Sequence, residues 1–305
     1  MRVHTFLALL LGLSLAGGPA GVQATLRVVG TLPDFASLAR ELGGERVEAE
    51  ALIQGTEDPH FVDAKPSHVV RLHRADLLVC IGLGLEAGWL PVLLTQSRNP
   101  RIQPGAAGYL DASSLVTPLE VPVKPDRAMG DVHGGGNPHY YTSPVELLAV
   151  ARGISSRLAE LDPAGRDHYA RRWRDFEARY RAQLDLWAQQ LLPLRGTKIV
   201  EYHKSWVYLV QWLGFVSVGA LEPVPGVPPS PGHVARLLQQ VQGQGIRFLF
   251  QEIYHQDNLS RVFASKSGAR QLVLPSMVGA APGTDTVLEK FGRIVQLIQG
   301  NGGTP

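Results

Sequence analysis

Over residues 25–161 short runs of aliphatic and β-branched residues alternate with longer stretches whose apolar positions recur every three or four. The runs 26–30, 47–53 and 77–82 predict strands, and 35–42, 66–74, 85–96 and 144–161 predict helices. Strand then helix, repeated, implies a parallel sheet covered on both faces. The pattern changes at 163–192, where Tyr169, Trp173, Phe176, Tyr180, Leu184, Trp187 and Leu191 form one apolar stripe among Arg, Asp, Glu and Gln. That spacing predicts a single amphipathic helix of about 30 residues, roughly 45 Å long. Asp162-Pro163 supplies its N-cap and first-turn proline, and Pro193 and Gly196 end it. Alternation then resumes, with strands expected at 198–202, 215–218, 246–251 and 271–274 and helices at 207–213, 233–242, 258–267 and 285–299.

The fold class expected is therefore α/β: two lobes with parallel-sheet cores, residues 25–162 and 193–305, joined by one long rigid helix over 163–192. Such a connector should permit only modest lobe closure. Residues 117–137, punctuated by Pro and Gly and including Gly134-Gly135-Gly136, read as a mobile loop at the edge of the inter-lobe cleft. The proline-rich stretch 223–231 reads as a stiff extended loop.

Residues 1–24 have the form of a secretory signal: Arg2 and His4, an apolar run over 6–16, then small residues to Ala24, where cleavage is expected. The apolar run is too short to span a bilayer. No cysteine stands near that site to carry a lipid, so the expected product is free in the periplasm of a two-membrane bacterium. Cys80 is the only cysteine, which excludes an internal disulfide, and it lies in an apolar run where an inert buried thiol is expected. A formal charge of +2 with no sustained basic block gives nucleic-acid binding little support.

The candidate chemistry lies in His60, His139, His203 and Asp285, each placed after a strand or at the start of a helix. The carboxyl ends of parallel strands form a ligand crevice, so two ligands from each lobe would meet in the cleft between them. Three imidazoles and one carboxylate make a complete four-coordinate set suited to zinc, with no position open for chemistry. Two histidines with two carboxylates would lean to manganese instead. A zinc hydrolase would need an open coordination position and a base, commonly on a His-Glu-x-x-His helix, and the chain has none. Gly82-Leu83-Gly84 lacks the rest of a dinucleotide fingerprint, and no Gly-x-Ser-x-Gly elbow occurs. His68, His73, His168 and His233 fall on expected helices and receive no metal role. Glu252 is read as an acceptor that orients a ligating imidazole, or else as a lobe-packing group.

At these residues the chain resembles the zinc- and manganese-type solute-binding proteins of ABC metal importers, the family that includes the high-affinity zinc-uptake binding proteins. Asp58-Pro59-His60 with Lys65-Pro66-Ser67 is similar to that family's first metal motif, and Asn137-Pro138-His139 through Pro144 to its second. Tyr202-His203 through Tyr208 is similar to the third, Leu221 through Pro231 to the proline-rich segment after it, and Asp285 to its late carboxylate ligand. Where the family often has an acid after Pro-Ser, the chain has His68, and where a glutamate commonly follows the first histidine by three, it has Asp63. The loop before the second motif carries only Asp126, Asp131 and His133 in place of a long His- and acid-rich tract, with His133 open to a first contact with zinc.

The resemblance implies a periplasmic protein that captures Zn2+ and hands it to an ABC-type membrane permease, acting as a monomer, without enzymatic activity, and open to loading by a periplasmic zinc chaperone. A manganese- or iron-binding homologue, a zinc-dependent hydrolase and a metal-stabilised adhesin are the alternative readings.

Overall fold

The computed structural model describes residues 25–123, 133–224, 226–255 and 258–300. The expected signal segment, Asp126 and Asp131 lie outside these. The apolar runs become two four-stranded, all-parallel sheets of like topology. In the first, β1 (Leu26–Gly30) is flanked by β2 (Val47–Ala51) and β3 (Leu77–Cys80), with β4 (Tyr109–Asp111) beyond β3. In the second, β5 (Lys198–Glu201) lies between β6 (Val216–Ala220) and β7 (Phe248–Gln251), with β8 (Arg270–Val273) outside β7. The inner strands β3 and β7 are buried at every position, as a strand covered on both faces must be.

Helices α1 (Pro33–Gly43), α2 (Pro66–Arg74) and α3 (Leu90–Ser97) connect the first sheet, and α4 (Pro144–Leu161) leaves it. The expected helix over 85–96 begins only at Leu90, because Gly82, Leu83 and Gly84 all take positive φ (77°, 53° and 84°) and break the chain into turns. Strand β4 was not anticipated, since three residues carry too little periodicity to read.

The long connector forms as α5 (Arg166–Leu191), 26 residues and about 39 Å. Single 3-10 turns at Pro163–Gly165 and Leu192–Leu194 extend it at both ends. Asp162 caps it by accepting from the Gly165 N–H. The second sheet then carries α6 (Val207–Leu213), α7 (Pro231–Val241), α8 (Asn258–Ser267) and α9 (Val287–Gln299). Instead of a uniformly extended run, the proline-rich stretch folds back where Val224 and Val227 pair across a tight turn.

Each lobe was expected to have its own core. One apolar cluster instead runs from Val28 in the first sheet through Phe176, Tyr180 and Trp187 of α5 to Phe250 and Phe291 in the second lobe. A smaller cluster around Val200, Leu237 and Phe263 lies behind the second sheet. The lobes also share a buried ion pair. Lys290 Nζ on α9 donates to Asp34 Oδ1 on α1 at 2.6 Å, both side chains being fully buried, and also to the carbonyls of Tyr141 (2.8 Å) and Ser276 (3.3 Å). Gly55 permits a further close approach, for a Cβ there would lie 2.2 Å from the Val278 carbonyl oxygen. Long-range apolar contact along a helix and a desolvated ion pair explain how the two halves hold one register.

Candidate metal centre

His60 lies in the turns between β2 and α2, His139 opens the 3-10 turn His139–Thr142, and His203 follows the end of β5. The fold brings them together. Their ring centroids form a nearly equilateral triangle, 5.1 Å (His60 to His139), 5.3 Å (His60 to His203) and 5.0 Å (His139 to His203) apart. One nitrogen from each lies within 4.8 Å of the other two. A zinc ion with Zn–N bonds of about 2.0–2.1 Å would draw such nitrogens to roughly 3.4 Å in a tetrahedral set.

The sequence builds two of these ligands in the same way. In Asp58-Pro59-His60, Asp58 Oδ1 accepts both the His60 backbone N–H (2.9 Å) and its Nδ1–H (2.8 Å). In Asn137-Pro138-His139, Asn137 Oδ1 likewise accepts the His139 N–H (2.9 Å) and Nδ1–H (2.9 Å). His203 obtains the same partner from a distance, its Nδ1 donating to Glu222 Oε2 at 2.5 Å. A carboxylate or carbonyl oxygen can only accept, so each Nδ1 carries the proton and each Nε2 keeps its lone pair. Fixing the tautomer through the second nitrogen is how metal-binding imidazoles are oriented and made more basic.

The free nitrogens are conspicuous. Nε2 of His60 and of His139 are buried with no hydrogen-bond partner. Histidines given no metal role behave otherwise: His73 pairs with the Ser97 carbonyl, His168 with that of Gly43 and His233 with that of Ala220, while His68 Nδ1 accepts from Lys65. Burial, reinforced by the neighbouring imidazoles of His203 and His60, pushes His139 well below the ordinary imidazole value. It is therefore neutral and ready to ligate at neutral pH. Burial raises Asp58, but its hydrogen bonds to His60 more than offset this and leave it below the usual carboxylate range.

The second lobe is stitched directly to the His139 segment. Thr142 Oγ1 donates to the carbonyls of His139 and Ser205 (both 2.8 Å), and Asn137 Nδ2 to that of Lys204 (2.8 Å). Tyr208 OH donates to the Asn137 carbonyl (2.7 Å). Buried Glu201 shapes the His203 turn by accepting from the Trp206 N–H and the Ser217 hydroxyl. His60 sits instead at the side of an open cleft of about 640 Å³, lined also by Phe61, Asp63, Leu85, Trp89 and His133.

Asp285 does not join the histidines. It is exposed, next to Thr286, which caps α9 by accepting from the Glu289 N–H, and it lies outside the group of converging ligand atoms. In this structure the turn that begins α9 holds the Asp285 carboxylate apart from the three rings. Glu252 is not the orienting acceptor either, since Asp58, Asn137 and Glu222 fill that role. It is fully buried with both oxygens unpartnered, and burial raises it to about 8.

The sequence reading missed the roles of Asp58, Asn137 and Glu222. The repeated acceptor-Pro-His pattern at 58–60 and 137–139 could have revealed the first two, whereas Glu222 has no local signal.

Comparison with known proteins fits this geometry. The profile of the family "Zinc-uptake complex component A periplasmic" (ZnuA) matches residues 28–299. The chain belongs to that family. Its members are substrate-binding components of ABC-type metal importers, and this chain is a metal-binding protein of that type. It is 23% identical over 331 residues to the high-affinity zinc uptake system protein ZnuA of Paracoccus denitrificans, covering 97% of this chain and 95% of that protein. It is also 23% identical over 256 residues to the manganese ABC transporter substrate-binding lipoprotein PsaA of Streptococcus pneumoniae, covering 81% of this chain and 79% of that protein. A crystal structure of a ZnuA deletion mutant with zinc bound superposes with a TM-score of 0.74 at 26% identity, covering 92% of this chain and all of the other. Among the described residues no helix is long and apolar enough to cross a membrane.

Proposed function

We propose that this ZnuA-family chain binds Zn2+ through Nε2 of His60, His139 and His203, carries it in the periplasm as a monomer, and releases it unchanged to an ABC-type permease. The observation that supports this most strongly is the convergence of three imidazoles from both lobes, each with its Nδ1 proton already committed to an acceptor. A set of nitrogen donors favours zinc over manganese, which prefers oxygen. The carboxylates of Asp58 and Glu222 partly neutralise the ion from behind the rings, so a cation is tolerated among three neutral imidazoles. Turnover is not expected of a site whose role is to enclose and release its cargo. Export through the segment 1–24, and loading by a periplasmic zinc chaperone, belong to the same reading.

Titration of the apo protein with Zn2+ and with Mn2+, repeated on His139→Ala and His203→Ala, tests it. Tight zinc binding that each substitution weakens severely, with much weaker manganese binding, is expected. Zinc binding left unchanged by both substitutions, or a preference for manganese, would overturn the assignment.

A further inference from the structure

Next to the metal centre lies a group of buried polar atoms that no described residue satisfies. The hydroxyls of Tyr141, Ser205, Tyr254 and Ser276 and both carboxyl oxygens of Glu252 are buried and lack a hydrogen-bond partner. These residues are neighbours. Tyr254 and Glu252 bear on Tyr141, Ser276 on Tyr254 and Ser205 on Glu252, all at short range but without a closed hydrogen bond. Lys290 Nζ donates to the carbonyls of both Tyr141 (2.8 Å) and Ser276 (3.3 Å), which fixes those two stretches of backbone side by side. Tyr141 comes from the segment that leads into α4, the other four from the loops after β5, β7 and β8 of the second lobe. An orphaned buried polar group costs free energy, so several in one place point to a second state in which they are satisfied. Resting on the zinc reading above, we propose that Tyr141, Ser205, Glu252, Tyr254 and Ser276 are positioning residues that form a closing latch, their mutual hydrogen bonds completed only when zinc draws the lobes together.

The latch is joined to the ligands through short lengths of chain. Tyr141 stands two residues beyond His139 on the same 3-10 turn, with ring centroids 5.9 Å apart. Ser205 stands two residues beyond His203, and its carbonyl already accepts from Thr142 Oγ1 (2.8 Å). The Tyr202 N–H donates to the Phe250 carbonyl (2.7 Å), so the ends of β5 and β7, which lead to His203 and Glu252, move together. The ligand nitrogens lie within 4.8 Å of one another, and a tetrahedral zinc would hold them at roughly 3.4 Å. A contraction on the order of 1 Å is enough to turn a near contact into a hydrogen bond. Burial pushes the hydroxyls of Tyr141 and Tyr254 well above the ordinary phenol value, so both stay protonated and able to donate. Serine hydroxyl and carboxyl oxygens supply the acceptors. Bonds made only in the loaded state hold that state closed, and the ion leaves after they break.

Tyr141→Phe and Tyr254→Phe each remove one hydroxyl and keep the ring. In the full-length protein, zinc affinity is measured by chelator competition, zinc release by stopped-flow chelation, and the stability of the metal-free form by denaturant titration. Each variant should bind zinc about threefold to tenfold more weakly, the worth of one buried hydrogen bond, through faster release. The metal-free variants should be as stable as wild type or more so, because the lost hydroxyl had no partner there. A merely structural role would not separate these two readouts. Unchanged zinc affinity in both variants would overturn the proposal. So would metal-free protein destabilised as much as the zinc-loaded form, the result expected if ordered water bonds the hydroxyls in both states. Failure of the zinc reading has a separate signature, no tight zinc binding by wild type or binding that survives His139→Ala and His203→Ala, and either would overturn both.

Discussion

Replacing Glu222 by Gln isolates what a carboxylate behind a ligand contributes. The side chain keeps its shape, and its amide oxygen can still accept the Nδ1–H of His203, so geometry and tautomer are retained while the negative charge is lost. Both partners are nearly buried, with side chains 7% and 8% exposed, and their contact is 2.5 Å. The carboxylate would lie roughly 6–7 Å from a zinc on the far nitrogen, counting the ring and a Zn–N bond of about 2.0 Å. With an effective dielectric constant of about 20, its attraction to a doubly charged ion at that distance is about 5 kcal/mol, an upper bound before solvent and relaxation reduce it. Experience with outer partners of metal ligands gives about tenfold to a hundredfold in affinity, or about 1.4 to 2.7 kcal/mol. We expect Glu222→Gln to weaken zinc binding within that range in chelator-competition titrations at pH 7.5, with Glu48→Gln, an exposed acid on β2, as a neutral control. Unchanged affinity in Glu222→Gln, in a protein that His203→Ala disables, would refute the argument that charge behind the rings compensates the ion.

Other expectations follow from buried groups. Lys290→Met should destabilise the protein by about 3–5 kcal/mol in denaturant titration, because Asp34 would stay buried with only the Val278 N–H (3.1 Å) to answer its charge; Asp34→Leu combined with Lys290→Met should recover much of the loss. Glu252, raised from 4.5 to about 8 by burial, binds its proton more tightly when folded, so its contribution to apo-protein stability is greatest at acid pH and is lost as pH rises from about 4.5 to 8. Glu252→Gln should flatten thermal stability across that interval by up to a few kcal/mol, at about 1.4 per pH unit; an unchanged slope would contradict the burial argument. Because burial keeps His139 neutral at neutral pH, zinc binding between pH 7 and 8 should release fewer protons than there are ligating imidazoles, measured by calorimetry in buffers of different ionisation enthalpy. Chelation should empty the site while leaving far-UV circular dichroism intact, since the main apolar core does not depend on the ion; unfolding on metal removal would favour a structural role.

Periodicity along the chain was enough to determine the class of fold, because burial on both faces of a parallel strand and on one stripe of a helix leaves a local record. Helices α2, α4, α6 and α8 are read from such records, as is the span of the long connector. The three histidines were legible for a related reason: each falls where the chain leaves a strand or enters a helix at the crevice edge. Only through-space distance decided the rest. Asp285 and Glu222 are both acids in loops of the second lobe, and nothing local distinguishes them, yet one faces water and the other grips His203. Likewise, the fusion of two expected cores into one depends on pairs such as Trp187 and Phe291 meeting across long sequence separations, and a hydrophobic pattern reports that a residue is buried without reporting against what.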